Sequence, residues 1–91
     1  MRALVWRAAA RDDLARIMAY IAARNPAAAR RMHRLIEDAV RPLSAHPELF
    51  RPGRVAGTRE LVAHPNYIVV YRVTDATVEI VNVLHARQQY P

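Results

Sequence analysis

The sequence predicts an α+β fold of order β-α-α-β-β-β, a helical hairpin packed on a small antiparallel sheet. Three observations carry that expectation. Leu14, Ile17, Met18 and Ile21 recur at helical spacing, and so do Met32, Leu35, Ile36, Ala39 and Leu43. Asn25-Pro26 stands between these two stripes, and that dipeptide starts a helix well. From Gly57 onward, three β-branched runs alternate with Pro/Asn and Asp/Ala turns, which reads as an antiparallel meander.

Taken in order, Ala3 to Trp6 is a short apolar run suited to a first strand. A helix follows over about Ala9 to Arg24, with Arg11, Asp12 and Arg16 off its apolar face. Asp12 and Arg16 are four apart and are expected to pair. The second helix opens at Pro26, where proline loses only an amide that had no partner, and carries Arg30, Arg31, Arg34 and Arg41 outside its stripe. Pro42 is expected to kink or end it, because the ring clashes with the carbonyl one turn back. His46 to Gly57 holds Pro47, Pro52, Gly53 and Gly57 and reads as a loop. Strands are then expected at about Thr58–Ala63, Tyr67–Thr74 and Thr77–His85. Tyr67 to Tyr71 is apolar on both faces, as a central strand should be. Glu79 and Asn82 interrupt the last run, so that strand is expected to be half exposed. The helix pair should cover one sheet face and leave the other partly open for a partner.

Ninety-one residues leave room for one hydrophobic core, so a single domain is expected over 1–91. Cysteine is absent, which excludes a disulfide framework and thiolate chemistry. The opening residues hold no apolar signal-peptide core, and no apolar run nears the ~20 residues that span a bilayer, so a cytoplasmic location is expected, with no membrane partner. All fourteen basic residues are arginine and the formal net charge is +6. A GC-rich coding bias accounts for arginine over lysine. The excess of positive charge points to an acidic partner, nucleic acid or protein.

No metal site is expected: His33, His46, His64 and His85 are far apart in sequence, with no H-x-x-x-H pair. His85, Arg87 and Tyr90 gather where the last strand runs out. An imidazole, a guanidinium and a phenol are the parts needed for a 2′-OH to attack a neighbouring phosphate without metal. A solvated chain end would carry the same residue types, so both readings stand. Arg59 and Arg72 lie in strands, where each must pair with Glu60 or Glu79 or reach a partner. Arg30, Arg31 and Arg34 read first as a solvated helix face. Trp6, Tyr20, Tyr67 and Tyr71 read as core or core-edge aromatics, too few among exposed basics for a stacking platform.

A resemblance sharpens this. Trp6 with Ala10, Asp13-Leu14 and Ile17, then Tyr20-Ile21-Ala22, Asn25-Pro26-Ala27-Ala28, and Pro47 with Arg51-Pro52-Gly53-Arg54 form an ordered set. Gly57-Thr58-Arg59-Glu60-Leu61, Tyr67 to Val73, and Val83-Leu84-His85-Ala86-Arg87-Gln88 complete it across essentially the whole chain. The set resembles the RelE/ParE superfamily, the toxins of bacterial type II toxin–antitoxin modules once called plasmid stabilisation proteins.

The resemblance implies a toxin that arrests growth until a cognate antitoxin neutralises it through an acidic amphipathic segment, with no cofactor. It offers two targets, DNA gyrase or mRNA on the ribosome. RelE-type members cut mRNA with basic residues on the second strand, an arginine after the aromatic that opens the central strand, and basic or His plus Tyr residues near the C-terminus. Arg59, His85, Arg87 and Tyr90 match parts of that set, but Ile68 stands where the central-strand arginine belongs. ParE-type members poison gyrase and carry an apolar residue there, followed by Tyr-Arg-Val, as in Tyr71-Arg72-Val73. Gyrase inhibition is the first implication, with Arg59, Arg72 and Arg87 as target-binding candidates. Ribosome-dependent mRNA cleavage is the second, and an inactive antitoxin-binding homologue the third. Ile68 is expected to pack as an apolar strand residue.

Overall fold

The protein, seen in a computed structural model that describes residues 1–90, lays two helices against one face of a five-stranded sheet. Strand β1 (Ala3–Trp6) leads into α1 (Ala8–Ala22) and α2 (Pro26–Val40). A 3-10 turn over Arg41–Ser44 follows, then β2 (Arg51–Pro52), β3 (Arg59–His64), β4 (Tyr67–Val73) and β5 (Thr77–His85). The order across the sheet is β1-β5-β4-β3-β2.

The helices start and stop for the reasons their sequence supplies. Asn25 sits in extended backbone before α2, and its side-chain oxygen accepts the Ala28 N–H at 3.0 Å. Pro26 occupies the first turn, and Pro42 falls in the 3-10 turn just past the end of α2. Arg16 pairs with Asp13, one turn back, rather than with Asp12. Asp13 is the more buried choice because its other oxygen is already anchored to the sheet, as described below.

Two features of the sheet correct the sequence expectation. The sheet is mixed: β1 pairs parallel with β5, Ala3 opposite Thr77 and Trp6 opposite Ile80, while β2 to β5 pair antiparallel. Between β1 and β5 lie both helices, the kind of crossover that a parallel pair requires. Strand β5 is therefore flanked on both sides as far as Ile80. Val78, Ile80, Val83 and Leu84 are buried while Glu79, Val81 and Asn82 stay partly exposed, so the strand is half exposed as expected. The loop before β3 also contributes two residues, Arg51 and Pro52, which pair with Glu60 and Arg59.

The core lies between helices and sheet. Ala10, Leu14, Ile36, Val40 and Leu43 meet Leu61, Val69, Tyr71, Val78, Ile80 and Val83, with Leu4 and Trp6 packed at the edge. Each large side chain removed from water in this way stabilises the fold by about 1.5–3 kcal/mol. The opposite face is covered over its centre, while Val62 and Arg72 on the same face stay exposed. Ile68, Val70 and Leu84 are 5%, 0% and 4% exposed, and Glu60 beside them is 3% exposed. The Arg54 backbone N–H reaches the Glu60 carboxylate, and the Arg54 guanidinium reaches the Tyr90 carbonyl, so the loop before β3 and the C-terminal segment meet over this face.

Strand β5 is not regular. Val70 faces Asn82 but Tyr71 faces Ile80, which leaves Val81 as an extra residue in a bulge. Strand β1 stops at Trp6, so beyond Ile80 the outer edge of β5 has no strand to bond. Asp13 fills that gap from α1: its Oδ2 accepts the Val83 N–H and the Asn82 side-chain amide, each at 3.0 Å. A helix carboxylate thus replaces the missing strand and fixes α1 over the bulge.

Candidate functional site

Where β4 begins and β5 ends, the register sets Tyr67 opposite His85. The two rings meet edge to face at 5.5 Å. The chain turns sharply after β5, with the Ala86 N–H on the Asn66 carbonyl at 2.7 Å and the Gln88 N–H on the His85 carbonyl at 2.9 Å. In that turn the Arg87 N–H donates to His85 Nδ1 at 3.1 Å. A neutral His85 therefore carries its proton on Nε2, and the ring is held by the backbone.

Helix α1 supplies the other wall. Asp13, Arg16, Ile17 and Tyr20 face Asn66, Tyr67, Val83, His85 and Gln88 across a groove of about 560 Å³. Tyr20 is 62% exposed, with the Arg24 guanidinium 4.2 Å above its ring. This corrects its reading as a core or core-edge aromatic. The residue lies one position before Ile21 and off the apolar stripe, a signal already present in the sequence. The groove pairs three aromatic or imidazole rings with one exposed guanidinium, Arg16. Its rings suit stacking on an aromatic group or nucleobase, and the Arg16 charge is already paired with Asp13.

The remaining candidates are dispersed. Arg59 stands opposite Tyr71, four residues along β4 from Tyr67, roughly 13 Å along the strand. Its guanidinium donates to the Phe50 carbonyl at 2.7 Å and the Glu48 carbonyl at 3.4 Å, holding the loop rather than facing His85. Arg72 is exposed and lies opposite Glu79, whose carboxylate approaches Arg7 at 3.9 Å instead. Glu60 takes neither Arg59 nor Arg72; its partners are Arg51 at 3.1 Å and Arg54. Arg87 is exposed beside the groove and Tyr90 is half-buried at the far end of the turn. Sequence reasoning gave no role to Asp13, and it paired Glu60 with the wrong arginines. Both are ordinary acidic positions until their neighbours in the fold are known.

Ile68 packs as expected, 5% exposed between cross-strand neighbours Val62 and Leu84. No helix is long and apolar enough to cross a membrane among the described residues.

Known proteins agree with this architecture. The profile of the ParE toxin family of the type II toxin–antitoxin system parDE matches residues 4–90. Y4kP of Sinorhizobium fredii, a toxin by inference, is 45% identical over 94% of this chain and 90% of its own. Toxin RelE2 of Caulobacter vibrioides is 40% identical over 94% of this chain and 97% of its own. The chromosomal ParDE system of P. aeruginosa superposes with a TM-score of 0.84 at 26% identity, over 93% of this chain and 96% of that one. The toxin–antitoxin complex DinJ–YafQ of E. coli shares the fold alone, with a TM-score of 0.60 at 15% identity over 92% of this chain and 91% of that one. With the profile spanning nearly its full length and two toxins at this level of identity, the chain belongs to the ParE toxin family within the RelE/ParE superfamily of type II toxin–antitoxin toxins.

Proposed function

We propose that this toxin arrests growth by poisoning DNA gyrase, and that a cognate antitoxin with an acidic amphipathic segment neutralises it. The observation that carries the target is Ile68. RelE-type nucleases place an arginine at this position, and here the side chain is buried in the sheet, between Val62 and Leu84. Removing a guanidinium that braces a phosphate in a transition state costs several kcal/mol of barrier, of the order of 3–4. Of the two arginines that could substitute, Arg59 spends its donors on backbone carbonyls, and Arg72 stands exposed opposite Glu79 near the far end of β4. Similarity to the ParDE toxin supports the same target. The +6 charge and the antitoxin-bound relatives support the acidic partner.

One observation favours the runner-up, ribosome-dependent mRNA cleavage. His85 has a fixed tautomer and lines a groove that also holds Tyr67, Tyr20 and Arg16, and a relative bears the RelE name. His85 would then exchange the proton in a metal-free 2′-OH attack, with Arg87 on the phosphate and Tyr90 nearby.

Purified protein added to gyrase and supercoiled plasmid is expected to accumulate cleaved DNA, while toeprinting on programmed ribosomes shows intact mRNA. A-site cleavage that His85→Ala slows about tenfold or more, together with no trapped DNA, would reverse the assignment. Ile68→Arg is expected to produce no efficient nuclease, because its neighbours in the sheet are apolar rather than anion-binding.

A further inference from the structure

Glu60 is the one charged side chain among the buried described residues, and the gyrase or nuclease chemistry makes no use of it. A carboxylate taken this far out of water must be paired. Its Oε1 takes Arg51 Nη2 at 3.1 Å. Its Oε2 accepts the Arg54 backbone N–H at 3.0 Å, with Arg54 Nε at 3.6 Å. The Arg54 guanidinium then reaches past the carboxylate, and Nη1 donates to the Tyr90 carbonyl at 3.3 Å.

The loop that presents Arg54 has little freedom to present it elsewhere. The Gly53 N–H bonds the Thr58 carbonyl at 2.7 Å, and the Thr58 hydroxyl donates to the Val55 carbonyl at 2.6 Å. Gly57 turns the chain with φ of 83°, a conformation that favours glycine. A Cβ on Gly53 would run into the Thr58 hydroxyl.

We infer that Glu60 is a positioning residue: through Arg54 it latches the C-terminal segment 86–90 to the sheet and so sets where Arg87 and Tyr90 stand when the toxin meets its target. The functional half rests on the toxin reading, not on which target is struck. Arg51 provides an internal contrast, since it pairs with the same carboxylate but has no bond to the C-terminal segment. Arginine suits the bridging position because its planar fork can serve a carboxylate and a carbonyl together.

The test uses three full-length chains: the natural protein, Arg54→Ala and Arg51→Ala. Backbone NMR relaxation reads the order of Gln89 and Tyr90, and induced expression without antitoxin reads growth arrest. In Arg54→Ala the order parameters of these two residues should fall below about 0.6 while those of the sheet hold. The inducer needed for arrest should rise about tenfold, since small displacements of contacting groups carry large rate penalties. Arg51→Ala should match the natural protein in both measurements. An unchanged C-terminal segment in Arg54→Ala overturns the latch. Equal loosening in Arg51→Ala overturns it too, because Glu60 would then be an ordinary structural ion pair. A loosened segment with full growth arrest overturns its role at the target. Growth arrest does not depend on the identity of the target, so a negative gyrase assay leaves this inference standing.

Discussion

Tyr71→Ala will destabilise the fold by about 4 kcal/mol, enough to unfold a large share of a chain this small. Tyr71 is 0% exposed at the centre of the core, opposite Ile80 on one side and Arg59 on the other. Its hydroxyl donates to the Pro47 carbonyl at 2.6 Å, tying the loop after α2 to the middle strand. Truncation leaves a cavity the size of a phenol ring and frees that loop. Tyr71→Phe keeps the ring but orphans a buried carbonyl, so about 1–2 kcal/mol is expected. Burial also raises the Tyr71 phenol above its ordinary 10.0, with the Arg59 charge opposing. The folded state therefore holds its proton longer than the unfolded chain. Stability from this source is complete below pH 10 and falls as pH rises toward the raised folded value. Urea titrations of both variants and the natural protein between pH 8 and about 11 test this. An alkaline loss of stability just as steep in Tyr71→Phe would rule out Tyr71 as its source.

The second large effect is at Glu60. Replacing Arg51 and Arg54 together by alanine strips the carboxylate of both counter-charges while leaving it buried. Breaking a buried pair from one side typically costs 3–5 kcal/mol. The side chains of Arg51 and Arg54 are 57% and 39% exposed, so water can enter where they stood, and a loss near 3 kcal/mol is expected. Adding Glu60→Gln to the double variant should recover more than half of it, because a neutral amide is far less costly to bury. If the triple variant is no more stable than the double, the uncompensated charge is not the cause.

Most of the fold was legible from local patterns. The stripes of α1 and α2, the Asn25-Pro26 start and the doubly apolar run at Tyr67 are periodicity and capping signals, and each places its element within two residues. The partner of β1 was not legible, because nothing within Ala3–Trp6 encodes which strand it joins. That choice is made by the whole meander, which starts at β2 on the far edge and ends with β5 beside β1. The Val81 bulge escaped for a related reason: the carboxylate that bonds the strand beside it, Asp13, is far away in sequence. At the site, His85 and its turn could be read from the end of a strand. The direction of the Arg59 guanidinium could not, since it follows the path of the loop through Glu48 and Phe50.

The parallel pairing of β1 with β5 has a consequence for the toxin during its own synthesis. The first strand made can find its neighbour only when the last strand has left the ribosome, and Asp13 waits equally long for Val83. Contacts of such sequence separation are slow to form and absent from any truncated nascent chain. A growing polypeptide accordingly lacks both contacts until its last strand is free. Nascent chains stalled before Thr77 should be digested rapidly by protease and chains released at full length should resist. Equal resistance of both would show that the first strand folds without its final neighbour.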